Sequence, residues 1–235
     1  MSEPARRFYK TAQAIPHDAG FAVTLDQHVL KTPKAAAFIA PSRALAEAMA
    51  QEWDAQIDRV IPATMPLTQL AFAAIDWTSS SREQRTHYVA SFGQTDLCCH
   101  RADAPADLVA RQSMIWGPIV AWGGEALGVT LPVVKGVVAA AIAPGELSKL
   151  KMRSEALDDF SLTALSQAAG LAGSALIAFA LLHGKLSGKD AYVAATLDDE
   201  FALGRWGEDA DARARLDAVS AEFDALGRFV AALHA

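Results

Sequence analysis

Cysteine and positive charge are both scarce in this sequence. The 235 residues include two cysteines, Cys98 and Cys99, which are neighbours and so poorly placed to form a disulfide with each other. We expect both thiols to be reduced, and the start of the chain has no apolar secretory signal, so the expected location is a bacterial cytoplasm. Acidic residues outnumber basic ones by 27 to 21, and the net charge of −6 argues against nucleic-acid binding through a general basic field.

Motifs for common enzyme chemistry are also absent. The sequence has no glycine-rich phosphate loop, no dinucleotide-binding G-x-G-x-x-G and no G-x-S-x-G nucleophile elbow. Cys98, Cys99 and His100 carry metal-binding atoms, but consecutive residues are poorly placed around one tetrahedral ion, and the sequence has no second Cys/His cluster. We therefore expect buried structural cysteines, no metal ion and no cofactor.

The chain does contain a large apolar fraction. Hydrophobic residues make up 52% of it, much of this alanine, and the mean hydropathy is +0.17, which excludes intrinsic disorder. The segment Phe160–Gly184 has no Lys, Arg, Asp or Glu and exceeds the roughly 20 residues of a membrane-spanning helix. Gly170 and Gly173 interrupt the segment, so we expect two buried helices, with Ser174 capping the second.

Alternating apolar positions and turn residues predict strands near the N-terminus. The predicted strands are 8–15, 21–25, 29–31 and 37–40, arranged as antiparallel hairpins. After Pro41, apolar residues recur at every fourth position, which predicts a helix that Ser42 caps. The apolar stripe of this helix is Leu45, Met49, Trp53 and Ile57.

Helical periodicity dominates the remaining chain. Helices are predicted from Pro66, from Arg82, where Ser80 and Ser81 have capping-box spacings, and after Pro105. Gly117–Pro118 should kink or break the third of these, and Gly128 should stop it. Further helices are expected at 146–157, 160–169, 174–183, 188–205 and 208–233, with 129–142 extended. The predicted fold class is α+β, with a small β-rich N-terminal domain containing one helix (6–62) and a multihelical domain (63–235).

Three consecutive acidic residues, Asp198, Asp199 and Glu200, form the main candidate for a binding site. They lie in a predicted helix whose apolar stripe is Val193, Leu197 and Phe201, and helical geometry places Glu200 at the margin of that stripe. A carboxylate there is partly desolvated, so it either pairs within the protein or contacts a basic group of a partner protein. Trp206-Gly207 is expected to end this helix.

A set of short segments occurs in a distinctive order over residues 6–207. They are Arg7-Phe8-Tyr9-Lys10, Val23-Thr24-Leu25-Asp26, Leu30-Lys31-Thr32-Pro33, Glu52-Trp53-Asp54-Ala55-Gln56, Met65-Pro66-Leu67-Thr68, Ala74-Ile75-Asp76, Thr95-Asp96-Leu97, Gln112 with Trp116, Pro118 and Trp122, Asp199-Glu200-Phe201, and Trp206-Gly207. In this order and spacing they resemble the assembly chaperones of the F1-ATPase α subunit, a family of mitochondria and alphaproteobacteria. Gln27, His28, Gly117 and Ala202 depart from the residues usual in that family.

The resemblance implies a β-rich N-terminal domain, a helical C-terminal domain and no catalytic activity. The implied role is to bind the free α subunit and shield the surface that later faces the β subunit, before the catalytic hexamer assembles. Glu200, Asp199, Asp198 and Trp206 are the residues we expect to contact this partner. Charge reversal of Glu200 should then weaken capture of the α subunit and leave thermal unfolding unchanged.

Two other classes of function stay open at the level of the sequence. The first is a small soluble enzyme that assembles carboxylates with His100 or Arg101, which would require a deep pocket and carboxylates with shifted pKa values. The second is a membrane-associated helical protein that uses Phe160–Gly184.

Overall fold

The computed structural model of the protein describes residues 5–136, 138, 140–143, 145–207 and 209–235. Short strands precede the first helix, and helices form most of the chain that follows. The predicted α+β class is therefore confirmed.

The N-terminal strands form one antiparallel sheet, with β2 at its centre. Its members are β1 (Ala12–His17), β2 (Gly20–Leu25), β3 (His28–Val29) and β4 (Ile39–Ala40). β2 pairs with each of the other three, and its register with β1 places Ala14 opposite Val23. The predicted hairpins are confirmed, although β1 begins later than expected. The chain before it pairs elsewhere, since the backbone N–H of Arg7 donates to the carbonyl of Asp58 at 2.9 Å.

Helix α1 (Arg43–Asp54) packs across this sheet. Ser42 caps it as predicted, because the hydroxyl oxygen of Ser42 accepts the N–H of Leu45 at 3.1 Å. Three of the four residues in the predicted stripe are buried. The prediction for Ile57 is wrong: the helix ends at Asp54, before Ile57, whose side chain is 82% exposed.

The helical part of the chain follows. Its helices are α2 (Pro66–Ala73), α3 (Arg82–Ser91), α4 (Ala106–Trp122), α5 (Glu146–Glu155), α6 (Asp159–Ala172), α7 (Ala175–Leu182), α8 (Gly188–Ala195), α9 (Leu197–Trp206) and α10 (Ala210–Leu233). A second, two-residue pairing joins β5 (His100–Arg101) to β6 (Val134–Lys135) in parallel. Residues 137, 139 and 208, which belong to predicted segments, lie outside the described part of the chain.

Three predictions about helix boundaries are corrected by the structure. The helix predicted over 188–205 is two helices, because the chain leaves helical geometry at Thr196 (φ −110°, ψ 14°), and Val193 is consequently not on the stripe of α9. Of the kink or break predicted at Gly117–Pro118, the break is wrong, because α4 continues to Trp122. The hydroxyls of Ser80 and Ser81 donate to the carbonyl of Trp77 and so do not cap α3.

The uncharged segment forms two helices, as predicted. α6 ends at Gly173, which has a left-handed conformation (φ 62°), and the hydroxyl of Ser174 accepts the N–H of Ile177 at 3.0 Å to cap α7. Every residue of α7 is buried. No helix in the described residues has the length and apolar character needed to cross a membrane.

One hydrophobic cluster connects the sheet to the helices. It includes Val23 of β2, Met49 of α1, Phe179 of α7 and Phe229 of α10. α10 contacts α1, α2, α6, α7 and α8, so the last helix holds early and late parts of the chain together. The division into domains at residue 62 stays a prediction.

Candidate partner-binding surface

The three acidic residues lie in the first turn of α9. Leu197, Phe201 and Leu203 are the buried residues of this helix, and they fix its orientation on the protein. Carboxylates near a helix N-terminus interact favourably with the helix dipole, so the acidic turn stabilises α9 whatever else it does. The structure then separates the three carboxylates by giving each a different neighbour.

Glu200 is bound from two sides within the protein. Arg213 of α10 donates to both carboxylate oxygens, at 2.9 and 3.1 Å, and the hydroxyl of Tyr192 donates to Oε1 at 2.6 Å. The helical wheel correctly placed Glu200 at the margin of the apolar stripe, since 36% of its side chain is exposed. These hydrogen bonds hold the pKa of Glu200 below its usual value, with the bond from Arg213 as the largest cause.

The ion pair between Glu200 and Arg213 changes the expected effect of charge reversal at Glu200. A lysine at position 200 would face Arg213 across the same distance, and like charges at close range repel. Charge reversal of Glu200 should therefore lower stability as well as any partner affinity, and the expectation of an unchanged thermal transition is revised.

Asp198 and Asp199 bind side chains of two different helices. Asp198 accepts a hydrogen bond from Nε2 of Gln112 at 2.8 Å, which ties α9 to α4. Asp199 pairs with Arg215 of α10 at 3.0 Å, and more than half of each side chain is exposed. An ion pair this exposed contributes about 0–1 kcal/mol and exchanges its partner readily.

Trp206 is the most exposed part of this region. It occupies the last position of α9, directly before Gly207 (φ 103°), and 78% of it is accessible to solvent. Beside it lies a cleft of about 200 Å³ between α9 and α10, lined by Asp199, Ala202, Leu203, Trp206, Gly207, Ala212, Arg215 and Leu216. The structure thus brings Trp206 and Asp199 to one cleft, whereas Glu200 and Asp198 do not line it.

Sequence reasoning missed another exposed apolar pair, Phe8 and Ile57. An isolated antiparallel bridge joins Arg6 to Arg59, each two residues along the chain from one of them. The side chains of Phe8 and Ile57 are 72% and 82% exposed. The end of α1 would have indicated the exposure of Ile57, because an apolar residue just beyond a helix does not extend the buried face of that helix.

Arg101, one of the two residues suggested for an enzyme, makes structural contacts. Arg101 donates from Nε to the carbonyl of Cys98 at 2.8 Å, and its guanidinium lies 5.4 Å from the ring centroid of Trp116. Burial raises the pKa of Asp96, but this carboxylate is 1% exposed and does not line the cleft between α9 and α10.

The adjacent cysteines are buried and free, as expected. Burial raises the pKa of Cys99 to about 12, which keeps its thiol protonated at neutral pH, and raises that of Cys98 well above its usual value. Among the residues that the structure describes, no three His, Cys, Asp or Glu side chains are grouped closely enough to hold a metal ion.

The Glu200 pair predicts a dependence of stability on pH. Because the folded-state pKa lies below the ordinary value of 4.5, the stabilisation is present above pH 4.5 and is lost as the pH falls through the folded-state pKa. Glu200→Gln should lower the free energy of unfolding by up to about 1 kcal/mol at pH 7, given the exposure of the pair. Urea titrations at pH 7 and pH 3 test this, and a difference between the two proteins that does not shrink in acid would contradict it.

Comparison with known proteins identifies close structural relatives. Atp12 from Paracoccus denitrificans superposes with a TM-score of 0.91 at 34% sequence identity, covering 97% of this chain and 98% of that one. A point mutant of the same Paracoccus protein gives the same TM-score at 33% identity. A protein from Agrobacterium tumefaciens, proposed to be a chaperone, gives 0.88 at 33% identity and covers 97% of this chain and 86% of its own.

A family model agrees with these structures. The model described as ATP12 chaperone protein matches residues 6–123, from the residues before β1 to the end of α4. The acidic turn of α9 lies outside this match, whereas the Paracoccus structure covers 97% of the chain. The chain belongs to the ATP12 chaperone family, and its role is that of a chaperone.

Proposed function

We propose that this chaperone binds the free α subunit of F1-ATPase during assembly of the ATP synthase. It shields the surface of the α subunit that later contacts the β subunit, and it works in the cytoplasm without catalytic activity. Membership of the ATP12 chaperone family is the observation that supports this role. A chaperone of this kind requires no nucleotide site of its own, because it needs only to bind its client and release it.

Trp206 supports the choice of the α9–α10 cleft as the client-binding surface. A large aromatic side chain that is 78% exposed beside a cleft lined by Leu203 and Leu216 has the character of an interface anchor. The Asp199–Arg215 pair at the same cleft can exchange for a basic group of the client at little cost. Asp198, which is hydrogen-bonded to the uncharged side chain of Gln112, adds negative charge near it, whereas the charge of Glu200 is balanced by Arg213. A negative charge there favours correct orientation and rapid association.

Co-purification from the native host tests the client. A tagged chain expressed at its natural level should recover the F1 α subunit without the β subunit, because the chaperone and the β subunit would cover the same surface. Recovery of assembled α and β together, or of no α subunit, would contradict the proposal.

Trp206→Ala should weaken binding of the purified α subunit about 30-fold, the effect of losing one aromatic anchor of an interface. The matched control is Trp77→Ala, which removes another half-exposed tryptophan, 54% accessible, from the turn after α2. The control should bind within about threefold of the wild type, and Trp206→Ala should keep the wild-type thermal midpoint, since its indole is mostly in solvent. Equal affinities for both variants would exclude Trp206 from the interface.

A further inference from the structure

A second candidate site lies around Arg85 on α3. Arg85 borders two clefts, of about 680 Å³ between α3 and α6 and about 500 Å³ between α2, α6 and α10. Neither cleft includes residues of the acidic turn of α9. The Arg85 region is therefore separate from the surface proposed above.

The guanidinium of Arg85 is held by uncharged partners. Its Nε donates to the hydroxyl of Ser81 at 3.1 Å, and its Nη1 donates to the hydroxyl of Ser166 at 2.9 Å. In the described residues no carboxylate lies within 4.0 Å of it. Arg82, one turn earlier, shows the contrast, because it is ion-paired with Asp159.

The two serines fix the guanidinium in place. The hydroxyl of Ser81 donates to the carbonyl of Trp77 at 2.8 Å, and that of Ser166 donates to the carbonyl of Thr163 at 3.1 Å. Each serine oxygen is therefore turned toward Arg85 as an acceptor. An arginine has five N–H donors, and the described hydrogen bonds use two of them. The remaining donors are pre-oriented on a half-buried cation that no described carboxylate contacts directly, although the charge of Asp159 acts on it from a longer distance.

The α3–α6 cleft has no acidic side chain in its lining. It is formed by Ser81, Gln84, Arg85, Tyr88, Ser166, Gln167, Gly170 and Leu171. A side chain at Gly170 would meet the hydroxyl of Tyr88, since a Cβ there would lie 2.6 Å from it, so the glycine allows Tyr88 to lie against α6. The lining thus offers hydroxyl and amide groups around one cation. The neighbouring cleft includes Glu222, so the α3–α6 side is the one suited to an anion.

We propose that the α3–α6 cleft binds an acidic side chain of the protein client, with Arg85 pairing with its carboxylate. One rigid guanidinium among neutral groups matches a single negative charge, and its planar fork fits a carboxylate. On a chain with a net charge of −6, a cationic cleft away from the acidic turn would fix the orientation of the client. This inference rests on the proposed function, in which the client is the F1 α subunit.

Arg85→Gln tests the inference through binding of the purified α subunit. We expect about tenfold weaker binding, as for the loss of one charge-assisted hydrogen-bonded pair, and a shallower dependence of affinity on salt. The control is Arg228→Gln, which removes the same charge from an exposed i,i+4 pair with Asp224 and should bind within about twofold of wild type. Arg85→Lys keeps the charge without the fork and should be intermediate; if Arg85→Gln fails to fold, the lysine variant carries the test.

The outcomes separate the two proposals. If wild-type chain fails to bind the α subunit, the proposed function is wrong. If wild type binds and Arg85→Gln binds equally well with the same salt dependence, only the Arg85 inference is overturned. Inorganic phosphate tests whether the cleft binds a free anion. If millimolar phosphate stabilises the wild type and not Arg85→Gln, and both proteins bind the client with equal affinity, the cleft binds a free anion. This result would overturn client binding there.

Discussion

Alanine at Gly188 should lower the free energy of unfolding by about 3 kcal/mol, the upper range for overpacking a close contact. Gly188 is the buried first residue of α8, and α8 crosses α10 there with backbone against backbone. A Cβ at position 188 would lie closer than 3.0 Å to the carbonyl oxygen of Phe223. The carbonyl belongs to the middle of α10 and cannot rotate away, so the two helices would have to separate.

A second glycine shows that this crossing depends on small residues. A Cβ at Gly227 would lie 2.9 Å from the nitrogen of Gly188 and 3.0 Å from its Cα. The contact between α8 and α10 therefore has no room for a methyl group on either side. Because α10 also contacts α1, α2 and α6, separation at Gly188 would disturb much of the core.

The same substitution at Gly204 is the matched control. Gly204 is an exposed residue of α9, and a Cβ there would meet nothing within 4 Å. Gly204→Ala should stabilise the protein by about 0.5–1 kcal/mol, because alanine favours the helix and restricts the unfolded chain. Chemical denaturation of both variants measures the two effects, and a Gly188→Ala protein as stable as Gly204→Ala would show that the crossing is looser than the structure indicates.

Local signals in the sequence predicted several helix starts, although the caps predicted for α3 are not formed. Ser42 and Ser174 cap helices, as predicted, and Ser187 forms a complete capping box with Asp190 at the start of α8. A cap involves residues within four positions of one another, so its geometry is encoded locally. The helix break at Thr196 was not predictable in this way, because Asp198 and Glu200 bind distant partners that fix α9 in a direction separate from α8.

Local sequence signals also fail to predict the contacts of the candidate site between different helices. The helical wheel placed Glu200 at the margin of α9, but its partner Arg213 lies on another helix, and sequence periodicity does not say which helices meet. The sequence predicted Trp206 as the end of its helix and, through the family resemblance, as a partner contact, and the structure adds that its side chain is 78% exposed. The sequence therefore identified the three acidic residues as helical, but it placed them within one long helix and did not predict the different partner that each carboxylate has.

The segments that carried the family resemblance form contacts between distant parts of the chain. Both carboxylate oxygens of Glu52 accept backbone N–H groups of α2, from Leu67 at 2.9 Å and Thr68 at 2.8 Å. The hydroxyl of Thr32 donates to Asp76 at 2.5 Å. Such contacts stabilise the fold that the family shares. The set of short motifs could therefore identify the family, although no single motif identified a binding residue.

Asp96→Ala should cost about 4 kcal/mol of stability, the largest effect among these predictions, because it removes a buried acceptor shared by three donors. Asp96 is 1% exposed. Its Oδ1 accepts the N–H of Cys98 at 3.1 Å and the hydroxyl of Ser174 at 2.7 Å, and its Oδ2 accepts the N–H of Leu176 at 3.0 Å. One carboxylate thus joins the turn around Cys98 to the start of α7, the helix that is buried throughout.

Asp158→Ala is the matched control, because Asp158 caps the neighbouring helix α6 from an exposed position. Water can replace the carboxylate of Asp158 at the backbone N–H groups that it binds, so the expected loss is about 1 kcal/mol. No water reaches the donors around Asp96 without opening the core, and they would stay unpaired. The loss of stability for Asp96→Asn should lie between those of the two alanine variants. Its amide keeps one acceptor oxygen, but its N–H group faces a backbone N–H donor. Equal losses for Asp96→Ala and Asp158→Ala in urea unfolding would mean that burial adds nothing to the cap, and the role assigned to Asp96 would be wrong.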